Sequence, residues 1–205
     1  AHRFGPGGEE MCLQLLALDR EMGDFFARLD SWGIDYSVTL TADHGGLDIP
    51  ERLQAKGVTD AAWVDIGLSA ERLGQQVAQA ANLKGPVIIF GGPSGDIFID
   101  PALSASDRAK ATNALLAIYR AHPQVEAVFT KDEIARTPSA SGSPERWTTL
   151  QRVRASFDSE RSGDLYVVLK PHIQPIADTS RYVSTHGSPW DYDRRVPILF
   201  WRRGM

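Results

Sequence analysis

Helix-length apolar periodicity alternates with short β-branched runs along this chain, and that alternation constrains the fold more than any other feature. From Glu9 to Trp32 the apolar residues Met11, Leu15, Leu18, Met22, Phe25, Phe26 and Leu29 recur at steps of three or four, which predicts an amphipathic helix closed by Gly33. Tyr36–Thr41 is a short apolar run and reads as a buried strand. Ser69–Leu83 reads as a second helix, capped by Ser69, with Leu73, Val77 and Ala80 inward. Pro86–Phe90 and Asp96–Ile99 read as strands joined by the Gly91–Gly95 turn. That glycine-rich turn lacks the lysine of a phosphate-binding P-loop and joins strand to strand, so a hairpin is the better reading. Ser106–His122 is predicted as a third helix and Val125–Thr130 as a strand. Ser143 with Pro144 starts a fourth helix to about Phe157, followed by strands at Leu165–Lys170 and Val196–Trp201. Interleaved helices and strands give an α/β class, expected as a mixed, mostly parallel sheet flanked by helices.

At 205 residues and 42% hydrophobic content the chain supports one real core. A formal charge of −4, with no basic stripe, argues against nucleic-acid binding. No apolar run is long enough for a transmembrane helix. Cys12, the single cysteine, excludes an internal disulfide and is expected as a buried core thiol.

Two segments carry candidate chemistry. Thr41-Ala42-Asp43-His44-Gly45-Gly46 follows a predicted strand, and Thr185-His186-Gly187-Ser188-Pro189-Trp190-Asp191-Tyr192-Asp193 comes shortly before another. Ligands of open α/β sheets bind outside strand carboxyl ends, so the first placement suits a site. Two imidazoles and a carboxylate can hold a metal. Of the remaining histidines, His2 opens a glycine-flanked loop, His122 reads as a helix-end cap, and His172 has no clear role.

Asp43-His44-Gly45, His186-Gly187 leading to Tyr192-Asp193 and Val196-Pro197, and His2-Arg3-Phe4-Gly5-Pro6 together resemble the metal-binding loops of the alkaline phosphatase superfamily. The branch they resemble contains type I phosphodiesterases, nucleotide pyrophosphatases and periplasmic bacterial alkaline phosphatases. The resemblance implies that Asp43 and His44 hold one zinc ion, and that His2 and His186 serve another. It implies a phosphate ester as small-molecule substrate and a periplasmic or secreted setting. The family's Thr or Ser nucleophile, two further aspartate ligands and phosphate-gripping residues have no match here. Residues 1–205 are therefore expected to be the C-terminal portion of an alkaline-phosphatase-like catalytic domain, inactive alone and holding zinc weakly. The rival expectations are a nucleotide pyrophosphatase or phosphodiesterase, and a non-catalytic metal-binding module. Asp191 and Asp193 read either as solvated partners of Arg194 and Arg195 or as supports for a ligand histidine.

Overall fold

A computed structural model describes residues 2–204. Helix α1, Glu9–Ser31, runs for 23 residues, as the periodicity predicts. It is followed by strand β1 (Ser37–Thr41), helix α2 (Pro50–Ala55), strand β2 (Ala62–Trp63) and helix α3 (Ala70–Ala80). Strands β3 (Ile88–Gly91) and β4 (Gly95–Ile99) form the expected hairpin, then come α4 (Ala105–Ala121), β5 (Val125–Thr130) and α5 (Lys131–Arg136). The chain ends with α6 (Thr149–Ala155), β6 (Leu165–Leu169), β7 (Ile173–Gln174), α7 (Asp191–Arg194) and β8 (Ile198–Arg202).

The core is built on one four-stranded sheet in the order β3-β4-β6-β5. β6, Leu-Tyr-Val-Val-Leu, is apolar at nearly every position because both its faces are covered. Leu165, Val167 and Leu169 join Leu73 and Val77 of α3 and Leu115 and Tyr119 of α4 in the main cluster. Tyr166 and Val168 face the opposite way, into a second cluster with Ile134 of α5, Val153 of α6 and Trp190. The period-two alternation of a strand thus sorts one run of residues between two cores.

The α/β class holds, but the expected mostly parallel pairing does not. All three ladders of the four-stranded sheet are antiparallel, as is β1–β8; only the short β2–β7 pair is parallel. The cause is where connections leave and return. A tight turn joins β3 to β4, and the excursion through α5 and α6 starts and finishes at the same sheet end, with Thr130 paired to Leu165. Parallel pairing needs a crossover from one end of the sheet to the other. The helix expected from Ser143 also starts later. Pro144–Arg146 is a single 3-10 turn, and α6 begins after Thr148, whose hydroxyl accepts from the Gln151 amide while the Gln151 side chain takes the Thr148 N–H. Helix α5 has the same device, Thr130 with Glu133, a signal present in the sequence.

Burial near the chain's first helix also departs from expectation. No residue of α1 is buried, and Cys12 is exposed beside Leu15, Leu18 and Leu40. β1 is exposed at four of its five positions. Leu13, Leu15 and Leu16 of α1 and Ile198, Leu199 and Phe200 of β8 are likewise exposed. What anchors α1 is an aromatic stack: Phe26 lies 5.7 Å from Tyr36 and 6.0 Å from Trp201, ring centre to ring centre.

Leu115, with 0% exposure, and Leu15, with 56%, are chemically identical tests of this division. Leu115→Ala is expected to lower unfolding free energy by about 2–5 kcal/mol in urea titrations, and Leu15→Ala to change it by less than about 0.5 kcal/mol.

Candidate metal centre

Three loops far apart in sequence meet at the carboxyl end of β1. The Asp43–Gly46 loop emerges from β1 and is fastened to α7: the Gly45 N–H donates to the Asp193 carbonyl at 2.8 Å, and the Gly46 N–H to that of Tyr192 at 3.0 Å. Only glycine fits at position 45, because a Cβ there would stand 1.9 Å from the Tyr192 carbonyl oxygen. In the second loop, the Ser188 N–H donates to the buried Asp193 carboxylate at 2.8 Å. The third loop begins at His2, whose carbonyl accepts from the Val183 and Ser184 amides.

The N-terminal loop is seated on α2, an element the periodicity did not reveal. Asp48 is buried, and the Arg52 guanidinium one helical turn on reaches both its oxygens and the Phe4 carbonyl. Gly5 and Gly7 pass directly over this pair; a Cβ on Gly7 would lie 2.2 Å from Asp48 Oδ2. Burial alone pushes the Asp48 carboxyl up, but the Arg52 hydrogen bonds and the Ile49 amide outweigh it and hold it below the usual carboxylate range.

This scaffold brings His2, His44 and His186 together. The His44 and His186 rings stack at 3.4 Å, nearly parallel at 16°, and His2 lies 5.4 Å from His186. His2 Nδ1 sits 2.7 Å from the Ser184 carbonyl, and His44 Nδ1 2.7 Å from the Gly45 carbonyl. A carbonyl oxygen can only accept, so each Nδ1 carries a proton, and it is Nε2 that bears the lone pair in that tautomer. Asp43 is largely solvated; its Oδ1 accepts from the His44 amide, and its Oδ2 stands 3.5 Å from His44 Nε2. His122 instead caps α4, accepting from the Gln124 amide with Asp65 at 3.6 Å, and His172 pairs with Asp60 at 3.0 Å.

The donor set of three imidazoles and one carboxylate suits zinc chemically. Among the described residues, however, no three imidazole, thiolate or carboxylate groups are arranged to hold one ion. Imidazole lone pairs lie in the ring plane, so the stacked His44 and His186 do not converge on a point between their faces. Behind the His186 loop is a cavity of about 120 Å³, lined by Leu47, Gln174, Trp190 and Asp193 among others. Tyr192 also lines it, and burial pushes its hydroxyl up to about 12, so it stays a neutral phenol. The buried polar residues Asp48, Gln174, Ser184 and Asp193, which hold the loops, carry no local sequence signature beyond the Asp48–Arg52 spacing.

Residues 1–189 match the family described as type I phosphodiesterase / nucleotide pyrophosphatase. Among curated proteins, the chain is 52% identical to alkaline phosphatase PhoK of Sphingomonas sp., covering all of this chain and 37% of PhoK. It is 45% identical to alkaline phosphatase PhoD of Zymomonas mobilis, covering 98% of this chain and 35% of that protein. The crystal structure of wild-type alkaline phosphatase PafA superposes with a TM-score of 0.79 at 25% identity, over 99% of this chain and 37% of PafA. The chain therefore has an alkaline-phosphatase-like fold and spans little more than a third of the length of these relatives.

Gly45→Ala is expected to cost about 1–3 kcal/mol in urea titration and to break the His44–His186 stack, seen as loss of mutual ring-current shifts by NMR. Gly46→Ala, which meets nothing within 4 Å, is its near-neutral control. A pH titration tests the seat of the N-terminal loop. Asp48 titrates lower folded than unfolded, so its stabilisation is complete above about pH 4, near the unfolded value. It is lost as pH falls through the depressed folded value. The Gly5 and Gly8 amides should shift below about pH 4, and Asp48→Asn should remove that transition.

Proposed function

Because the chain belongs to the type I phosphodiesterase / nucleotide pyrophosphatase family, we propose that it is the histidine-bearing portion of a zinc-dependent phosphate monoester hydrolase of the alkaline phosphatase type. One observation carries the reading: His2, His44 and His186, from three separate loops, stand within ring-contact range, and in His2 and His44 the Nδ1 is held by a carbonyl, which orients Nε2 as the ligand atom. Pinning one ring nitrogen to orient the other is how proteins prepare an imidazole ligand. The naming of PhoK, PhoD and PafA as alkaline phosphatases supports the monoester reading.

Asp43 and His44 would hold one zinc ion, and His2 and His186 the other. Bound zinc supplies Lewis-acid stabilisation of phosphoryl oxygens and a low-pKa water. The residues of this chain orient the donors. Gly45 lets the Asp43–His44 pair lie against α7, the Asp48–Arg52 pair seats the His2 loop, and Ser184 fixes the His2 ring. No residue of this chain is assigned as nucleophile; Thr39, Thr41 and Thr185 belong to other elements. The proposed nucleophile lies in the portion of the relatives' length that this chain does not match. The proposed setting is the periplasm or outside the cell, and among the described residues no helix is long and apolar enough to cross a membrane.

The family description keeps a second reading in view, a nucleotide pyrophosphatase or phosphodiesterase using the same histidines. A non-catalytic metal-binding module resting on the same histidines is the third.

The deciding measurement is hydrolysis of p-nitrophenyl phosphate and bis-p-nitrophenyl phosphate, with and without chelator, by these 205 residues and by a longer polypeptide carrying them. The chain alone should run at background and the longer protein should be chelator-sensitive and faster on the monoester. In the longer protein His186→Ala or Asp43→Ala should lower the rate by about 100-fold or more, at least matching the 10–100-fold cost of losing a residue that merely supports a ligand. His122→Ala should be neutral. Faster diester turnover would favour the second reading, and zinc binding without turnover by the longer protein the third.

A further inference from the structure

Asp193 occupies a place in this structure that its exposed neighbour Asp191 does not. It sits on α7 with 6% exposure. Its carbonyl takes the Gly45 N–H at 2.8 Å, and its Oδ2 takes the Ser188 N–H at 2.8 Å. Gly45 follows His44 directly, and Ser188 comes two residues after His186. One residue therefore fastens both loops whose imidazoles stack at 3.4 Å. We propose that Asp193 is the positioning residue of the histidine cluster: its main-chain carbonyl holds the Asp43–Gly46 loop, its buried carboxylate holds the His186–Ser188 loop, and together they set the relation of His44 to His186. The claim that this serves metal binding rests on the zinc reading above; the positioning itself does not.

The surroundings of Asp193 support the assignment. Its Oδ1 is buried without a hydrogen-bond partner. Among the described residues no lysine, arginine or histidine nitrogen forms an ion pair with it, whereas Asp191 on the same helix has Arg152, Arg194 and Arg195. A carboxylate whose task was only to tie down the Ser188 amide could be replaced by a neutral acceptor without the desolvation cost of a buried charge.

The test uses Asp193→Ala, Asp193→Asn and Asp191→Ala, read through the ring-proton signals of His44 and His186 without metal and then during zinc titration. Stacked rings shift each other's protons, so the signals report the stack directly. Asp193→Ala should move both sets toward free-imidazole positions and weaken zinc binding by about 10–100-fold. Asp193→Asn, which keeps an acceptor for Ser188, should restore the metal-free signals while binding zinc less tightly than wild type. Asp191→Ala should resemble wild type throughout. The proposal is overturned if Asp193→Ala leaves the ring signals in place, if Asn rescues nothing, or if Asp191→Ala disturbs the rings equally. Should Asp193→Ala not fold, hydrogen exchange in the wild-type protein decides: a Ser188 amide exchanging at an unprotected rate overturns the proposal and a protected one upholds it. If wild type takes up no zinc, the metal reading fails, and the metal-free ring signals still decide the positioning.

Discussion

The carbonyl of Leu47 is the point on which the site's architecture depends. It accepts two buried side-chain hydrogen bonds, from Gln174 Nε2 at 3.0 Å and Ser184 Oγ at 2.8 Å. Ser184 in turn exchanges main-chain contacts with His2: its carbonyl fixes the His2 ring, and its amide donates to the His2 carbonyl. A single acceptor just after the Asp43–Gly46 loop thus ties together the loop bearing His44, the end of β7 and the segment leading to His186. Removing either donor leaves the carbonyl a single partner, and removing both leaves it buried and unpaired, at a cost of about 1–3 kcal/mol. The Gln174 amide orientation follows from the same contact, because turning it over would set oxygen against oxygen.

The strand that supports this arrangement, β6, is packed on both faces, and the loops are held where they touch it. Trp190 belongs to the second core cluster and donates from its indole to the Leu169 carbonyl at the end of β6. Arg152 on α6 reaches the Pro189 carbonyl. The segment after His186 is therefore anchored to a core strand and to a packed helix, while His186 itself faces solvent. A ligand side chain on a surface loop, with its flanks fixed to interior elements, combines access with a defined position.

Local patterns in the sequence were enough for most elements. The three-four periodicity of α1, the extents of α3 and α4 to within a few residues, the glycine turn of the hairpin and the run at Val125–Thr130 depend on neighbours a few residues away, although Ser69 makes no side-chain cap bond and the capping hydroxyl of α4 is that of Ser104. The histidine loops were legible for the same reason, since a histidine beside a glycine near a strand end is a local feature. What escaped was non-local. Whether β5 and β6 run parallel is decided by the return path of residues 131–164, and the burial of Gln174 and Ser184 by contacts across the whole chain. Cys12 and β1 illustrate the complementary error: an apolar pattern states that a face can be covered, and says nothing of whether the covering lies within these 205 residues.

The bonds that assemble the histidine cluster span large sequence separations: 182 residues for His2 to Ser184, 137 for Ser184 to Leu47 and 127 for Gln174 to Leu47. Loop closure over such spans costs entropy before any contact repays it. The β3–β4 hairpin and the β5-to-β6 excursion close over far shorter distances and can form first. On these separations the histidines are expected to come together after the sheet has formed, and to part early when the molecule opens locally. A cation arriving early would meet separate imidazoles on a flexible chain; one arriving late meets an assembled cluster. Chain topology thus makes the carboxyl end of β1 the place where completed folding is expected to show.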